Sequence, residues 1–173
     1  FKTEHTDTSA GYVVVERRSK LRDEYVDLPQ EKLRELKDRG VEITRTLQVP
    51  LVAFVGDTAP GPPLLREDVR RAQIVISECT FVEPGHRDRA RIGKHMHLED
   101  IAEWLPLLEC ETLVLVHLSR RSNIRLARKH LDKLVKREHA ERVEFLMDFS
   151  RNRARYERQE EDAIAFSYPL ASS

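Results

Sequence analysis

Cysteine is scarce in this sequence, with two residues in 173, and that scarcity excludes a disulfide framework as the source of its stability. Cys79 and Cys110 each adjoin an apolar run, the pattern of buried free thiols in a reducing compartment, so a cytoplasmic location is expected. Charge of one sign is also lacking. Lys plus Arg number 30 and Asp plus Glu number 30, so no whole-molecule field attracts nucleic acid and any such affinity must come from a local patch. No apolar run approaches the roughly 18 residues of a membrane span, and Phe1-Lys2-Thr3-Glu4-His5 does not show the charged-then-apolar pattern of an export signal. A soluble chain with no membrane partner is expected. The sequence also has no initial Met and opens directly in what reads as mid-domain sequence, which suggests a fragment, a processed chain or one piece of a split protein.

What is present is an alternation of short buried strands and helices, in a length that suits one ordinary domain with its own core. Tyr12 to Glu16 is β-branched and bounded by Gly11 and a charged cluster, hence a strand. Gln30 to Arg39 follows Pro29, carries Leu33 and Leu36 at helical spacing and stops at Gly40, so a helix is predicted there. Val41 to Leu47 reads as a short strand. Leu51 to Val55, Ile74 to Ile76 and Thr112 to Val116 are continuous apolar runs, as in strands buried on both faces. Between them, Leu64 to Ala72 reads as a short helix and Leu98 to Leu108 as an amphipathic one. Ile124 to Val135 then reads as a solvent-facing helix, with His130 and His139 on exposed surface, and Val143 to Met147 as a last strand. The pattern predicts an α/β layered domain, with residues 1–150 as its body and 151–173 as a charged C-terminal helix or tail.

Three of these strands end in polar residues: Gly56-Asp57-Thr58, Ser77-Glu78 and His117-Leu118-Ser119. In open α/β sheets ligands bind beyond the carboxyl ends of strands, so Asp57, Glu78 and His117 are expected to converge. A histidine on a stiff buried strand suits a metal ligand, Asp57 could bridge two metals, and His5 could supply a third ligand. Taken singly, a histidine after a strand is more often a hydrogen-bonded structural residue than a ligand, and an Asp after Gly is usually a turn former or cap.

The ordered combination is more specific. His5 with Gly11-Tyr12, then Phe54-Val55-Gly56-Asp57-Thr58, Ser77-Glu78-Cys79-Thr80-Phe81, Lys94-His95-Met96-His97 and Leu115-Val116-His117-Leu118-Ser119-Arg120-Arg121 resembles the later half of ribonuclease Z, a hydrolase of the metallo-β-lactamase fold, through most of residues 1–125. The resemblance implies half of an αββα sandwich, with His5 and His117 each on one of two zinc ions (manganese or iron being alternatives) and Asp57 bridging them. It implies further that Glu78 orients a catalytic His95, with His97 as the competing histidine, and that Arg121, Thr58 and Ser119 lie where substrate binds. The implied activity is metal-dependent phosphodiester hydrolysis of the tRNA 3′-processing endonuclease type. The alternatives are a small-ester or nucleotide hydrolase of the same fold, or a non-catalytic half paired with a catalytic chain.

Two departures qualify it. The family's His-x-His-x-Asp-His element is absent, so a missing N-terminal half or a partner chain is needed to complete the site. A compact charged segment, Arg17 to Gly40, stands where tRNA-specific members carry a glycine-rich arm, although Arg17, Arg18, Lys20 and Arg22 could contact phosphate. RNA or another phosphodiester is the expected substrate, and a homodimer the expected assembly.

Overall fold

The structure is a computed structural model that describes residues 1–119 and 121–165, with side chains described through residue 159. Five strands form one sheet whose spatial order follows the chain: β1 (Tyr12–Leu21), β2 (Thr44–Phe54), β3 (Ile74–Glu78), β4 (Thr112–Val116) and β5 (Val143–Phe145). β1 and β2 are antiparallel, and the other neighbours are parallel. Helix α1 (Gln30–Asp38) lies between the two antiparallel strands in sequence. Parallel neighbours require crossovers. These carry α2 (Glu67–Arg70), then α3 (Arg87–Gly93) and α4 (Leu98–Trp104), then α5 (Ile124–Leu134) and α6 (Arg137–Ala140). Every crossover advances one strand in the same direction, so a single handedness puts them all on one face.

The core lies under that face. Val75, Leu113 and Leu115 point into it from the strands, and Val69, Met96, Leu98, Ile101, Leu105 and Leu131 meet them from the crossovers. Trp104 closes one end, donating its indole N–H to the Leu64 carbonyl at 3.0 Å. The opposite face of the sheet is open. Val14, Phe54 and Ile74 are 58%, 42% and 38% exposed there, although the runs that carry Phe54 and Ile74 read as strands covered on both sides. Helix α7 (Phe149–Ala165) is tied to the β5 edge, where Arg151 and Arg155 meet Glu144 at 3.1 and 3.5 Å. A groove of about 630 Å³ runs between α7 and Ile74, Thr112 and Val114.

Several local expectations are revised. Val41 to Leu47 and Leu51 to Val55 belong to one strand, because Pro50 sits at a bulge: Val14 pairs with Val52 but Val15 with Pro50, which leaves Leu51 as the extra residue. The charged segment is accordingly not compact. β2 meets β3 only at Val52, Ala53 and Phe54, so the outer parts of β1 and β2 form a two-stranded ribbon, and α1 beyond it buries no residue. Pro106 shortens the fourth helix to a final 3₁₀ turn at Leu105–Leu107. His130 and His139 are half-buried rather than free on the surface: His130 Nδ1 lies 3.1 Å from the Val82 carbonyl and His139 Nδ1 3.2 Å from Arg142.

Candidate metal centre

The carboxyl ends of β2, β3 and β4 bring the expected residues to one edge. Gly56 makes the turn that delivers Asp57. Its φ of +72° and an approach of 2.7 Å between a built Cβ and the Ala10 carbonyl oxygen leave room for no side chain. The Thr3 and Ser9 hydroxyls both donate to the Asp57 carbonyl, at 3.0 and 2.9 Å. Ala59 N–H donates to the Glu4 carbonyl at 2.7 Å. The segment carrying His5 is thereby stitched to the loop carrying Asp57.

At the end of β4, His117 adopts a left-handed backbone conformation, φ +57°, one that histidine tolerates better than most residues. Its Nδ1 lies 3.2 Å from Asp57 Oδ1. His95 stands between the other two rings, with centroids 4.9 Å from His5 and 5.4 Å from His117. The five residues singled out for chemistry therefore converge: His5, Asp57, Glu78, His95 and His117. Donor atoms of His5, Asp57 and His95 lie within 4.8 Å of one another, as do those of Glu78, His95 and His117.

Glu78 is the hub. Only 1% of its side chain is exposed, and a buried carboxylate is tolerated only where donors surround it. Oε1 accepts from Thr58 N–H at 3.3 Å and Met96 N–H at 3.0 Å, and lies 2.9 Å from His95 Nδ1. Oε2 accepts from both the backbone N–H and the hydroxyl of Thr80, each at 2.9 Å. The Thr80 oxygen also lies 3.3 Å from His95 Nδ1 and 3.1 Å from His117 Nδ1. Thr80 thus belongs to the cluster although the sequence reading gives it no role; its position two residues beyond a strand-end glutamate is the available signal.

His97, the competing histidine, is excluded from the cluster by its own bonds. It is fully buried, its Nδ1 accepts from Glu99 N–H at 3.1 Å as the cap of α4, and its Nε2 lies 2.9 Å from the Glu83 carbonyl. Asp100 completes a capping box by accepting from His97 N–H at 3.0 Å. Thr58 is likewise placed away from any substrate. It is fully buried, its hydroxyl donates to the Ala59 carbonyl and accepts from Glu4 N–H, and it reaches the site only through its N–H on Glu78. Ser119 and Arg121 follow His117 on the loop that leads to α5, and Arg121 is exposed.

The donor set suits a metal ion. His5 Nε2 is buried and has no hydrogen-bond partner among the described residues, a condition that costs free energy unless something fills it. His5 Nδ1 accepts from Asp7 N–H at a long 3.3 Å. Coordination through Nε2 would move the neutral ring's proton to Nδ1 and release that long bond. Imidazoles and carboxylates at this spacing are the ligands that zinc, manganese and iron take.

Comparison with known proteins bears on identity. No protein-family model matches the chain. A chloroplastic tRNase Z of Arabidopsis thaliana is 34% identical over 137 residues, which are 78% of this chain and 39% of that protein. A second Arabidopsis thaliana tRNase Z is 34% identical over 128 residues, 72% of this chain and 46% of that protein. Among solved structures, the short form of human tRNase Z covers 86% of this chain and 39% of its own, at 19% identity and a TM-score of 0.47. The chain therefore spans less than half the length of the curated relatives it matches. In sequence, the chain is ribonuclease Z-like, an α/β unit that corresponds to part of a longer tRNase Z.

Proposed function

We propose that this chain supplies part of the active site of a metal-dependent endoribonuclease of the tRNA 3′-processing type. The observation that carries the reading is the Glu78 and His95 pair set beside the Asp57 and His117 pair, with an unpartnered His5 Nε2 facing the same cluster. His5, Asp57 and His117 would hold two zinc ions, or manganese or iron, together with ligands from outside this chain. Metal ions so held would supply an activated water and stabilise charge on a phosphodiester oxygen.

The chain's own residues do the rest. Glu78 fixes one nitrogen of His95, which leaves Nε2 as the position from which a proton passes to the departing oxygen. Thr80 ties the carboxylate to both rings and so limits their rotation. His95 also belongs to both groups of mutually close donors. The carboxylate on Nδ1 favours its role as the acid, because it fixes the ring's orientation and leaves Nε2 as the nitrogen turned to the reacting oxygen. Ser119 and Arg121 lie next along the chain, where a phosphate oxygen would be met. On the ribbon, Arg18, Arg22 and Arg45 are paired with Glu16, Glu42 and Asp23, which leaves Arg17 and Lys20 as the basic groups there suited to the flank of an RNA.

The open sheet face supports a second element of the proposal, that the remainder of a longer protein, or a partner chain, packs against Val14, Phe54 and Ile74 and brings the absent His-x-His-x-Asp-His ligands. It would complete the two-sheet sandwich that the resemblance implies. The free, buried Cys79 and Cys110 suit a reducing compartment such as the cytoplasm, while one similar protein is chloroplastic.

The test is metal-dependent cleavage of an RNA with a 3′ extension by the completed protein, with and without His95→Ala. Loss of about a hundredfold or more is expected if His95 is the acid. Undiminished cleavage would remove His95 from the mechanism, and a protein that hydrolyses a small phosphodiester but not RNA would favour the small-substrate alternative.

A further inference from the structure

Beside the metal cluster lies a cavity of about 650 Å³ between the loop that follows His117 and the start of α7, lined in part by Ser119, Arg121, Ser122, Arg125 and Phe149. It is joined to the cluster through backbone: Ser119 N–H donates to the Thr80 carbonyl at 3.2 Å, and Thr80 is the residue whose hydroxyl reaches both His95 and His117. Its far wall is held to the same strand, because Leu146 N–H donates to the Leu115 carbonyl at 2.9 Å.

Three features of the lining call for a ligand. Arg121 and Arg125 are both exposed, and neither side chain has an acidic partner among the described residues. The Ser122 hydroxyl oxygen is buried and has no hydrogen-bond partner among the described residues. Phe149 is 75% exposed at the rim, and a large aromatic left in water next to free guanidinium groups is the arrangement that single-stranded nucleic acid uses, with bases on rings and phosphates on cations. One carboxylate opposes this, that of Asp148, but its Oδ1 already accepts from Arg151 N–H at 3.3 Å.

We infer that this cavity is a subsite for an RNA nucleotide neighbouring the phosphate that is cut, with Arg125 meeting its phosphate and Phe149 stacking on its base. The inference rests on the proposed ribonuclease reading and adds to it a pair of residues to which neither the sequence pattern nor the metal cluster gives a role. Arg125 lies in the first turn of α5, whose cap is already supplied by Asn123 Oδ1 accepting from Leu126 N–H at 3.2 Å. The arginine is therefore free of any part in holding the helix.

The experiment is equilibrium binding of a fluorescein-labelled single-stranded tetraribonucleotide to the full chain, followed by anisotropy over a range of salt concentrations. Phe149→Ala should weaken binding about tenfold with the salt slope unchanged, as loss of one stacking platform does. Phe149→Trp should retain it. Arg125→Ala should weaken binding and lower the log–log salt slope by roughly 0.7, the value for one phosphate on a single strand; Arg125→Lys should restore the slope. Both positions are exposed, and thermal melting would verify that each variant is folded. No binding by the unsubstituted chain, or binding within twofold of it in both Ala variants, overturns the subsite. Binding that depends on Arg125 and Phe149 in a completed protein that cuts no RNA would keep the subsite and reject the hydrolase reading, so the two failures are distinguishable.

Discussion

Glu78 Oε1 lies 2.9 Å from His95 Nδ1 while the same carboxylate gathers the backbone N–H groups of Thr58, Thr80 and Met96. One buried side chain thus both orients the His95 imidazole and ties together the three segments that surround it. Stability and chemistry meet in this residue. Glu78→Ala would leave two buried N–H donors and one partly buried one without acceptors, at about 1–3 kcal/mol for each buried group. A loss of at least about 3 kcal/mol in denaturant unfolding is expected, and a change below about 1 kcal/mol would show that the carboxylate is not the structural hub.

The two neighbouring histidines should separate cleanly. His97 caps α4 from a fully buried position, so His97→Ala should cost about 2 kcal/mol or more through the lost cap and the vacated volume. His95 makes its side-chain contacts at the cluster, so His95→Ala should change stability far less while lowering RNA cleavage by the completed protein about a hundredfold or more. Paired unfolding and activity measurements on the two variants check this, and the reverse pattern would exchange the two assignments.

The convergence of Asp57, Glu78 and His117 was legible because each follows an apolar run, and a buried strand has only one way to present its next residue. The role of His95 rests on resemblance alone, and His5 is a candidate ligand from sequence only through its place ahead of the Gly11-Tyr12 strand, since neither follows such a run. Harder to read was everything set by tertiary context. Pro50 looked like a break between strands, whereas a bulge absorbs it. Helix α3 has Ala90 as its one buried residue and leaves Ile92 exposed, so no periodicity announced it. Thr58 ended up facing inward, because the turn at Gly56 directs its side chain toward Glu4. The apolar runs were read as covered on both faces, and the structure leaves one face open.

That open face gives a further prediction. Val14, Phe54 and Ile74 together offer an exposed apolar surface, so the chain by itself should bind a hydrophobic dye and self-associate. Val14→Lys with Ile74→Lys should suppress both while leaving the melting temperature nearly unchanged, as neither residue is in the core. Dye binding unaffected by the pair of changes would show that the face is not the exposed surface responsible.

Burial pushes the Cys110 thiol up, and pushes the fully buried Cys79 well above the usual thiol range with help from the carboxylates of Glu78, Asp100 and Glu83. The folded chain therefore holds these protons more tightly than the unfolded chain does. The resulting stabilisation is complete below the unfolded thiol range and is lost as pH rises through it toward the folded values. At about pH 8.5, where a free thiol is half ionised, both cysteines should resist alkylation in the native chain and react in denaturant. Prompt native labelling of Cys79 would contradict its placement.

The most direct test of the site is zinc binding, measured by elemental analysis after equilibrium dialysis of the chain and of its Asp57→Ala and His117→Ala variants. Zinc should bind the unsubstituted chain more weakly than a complete two-metal site would hold it, and affinity should fall at least about tenfold in either variant. No zinc bound at all, or binding indifferent to both substitutions, would contradict the assignment of Asp57 and His117 as ligands.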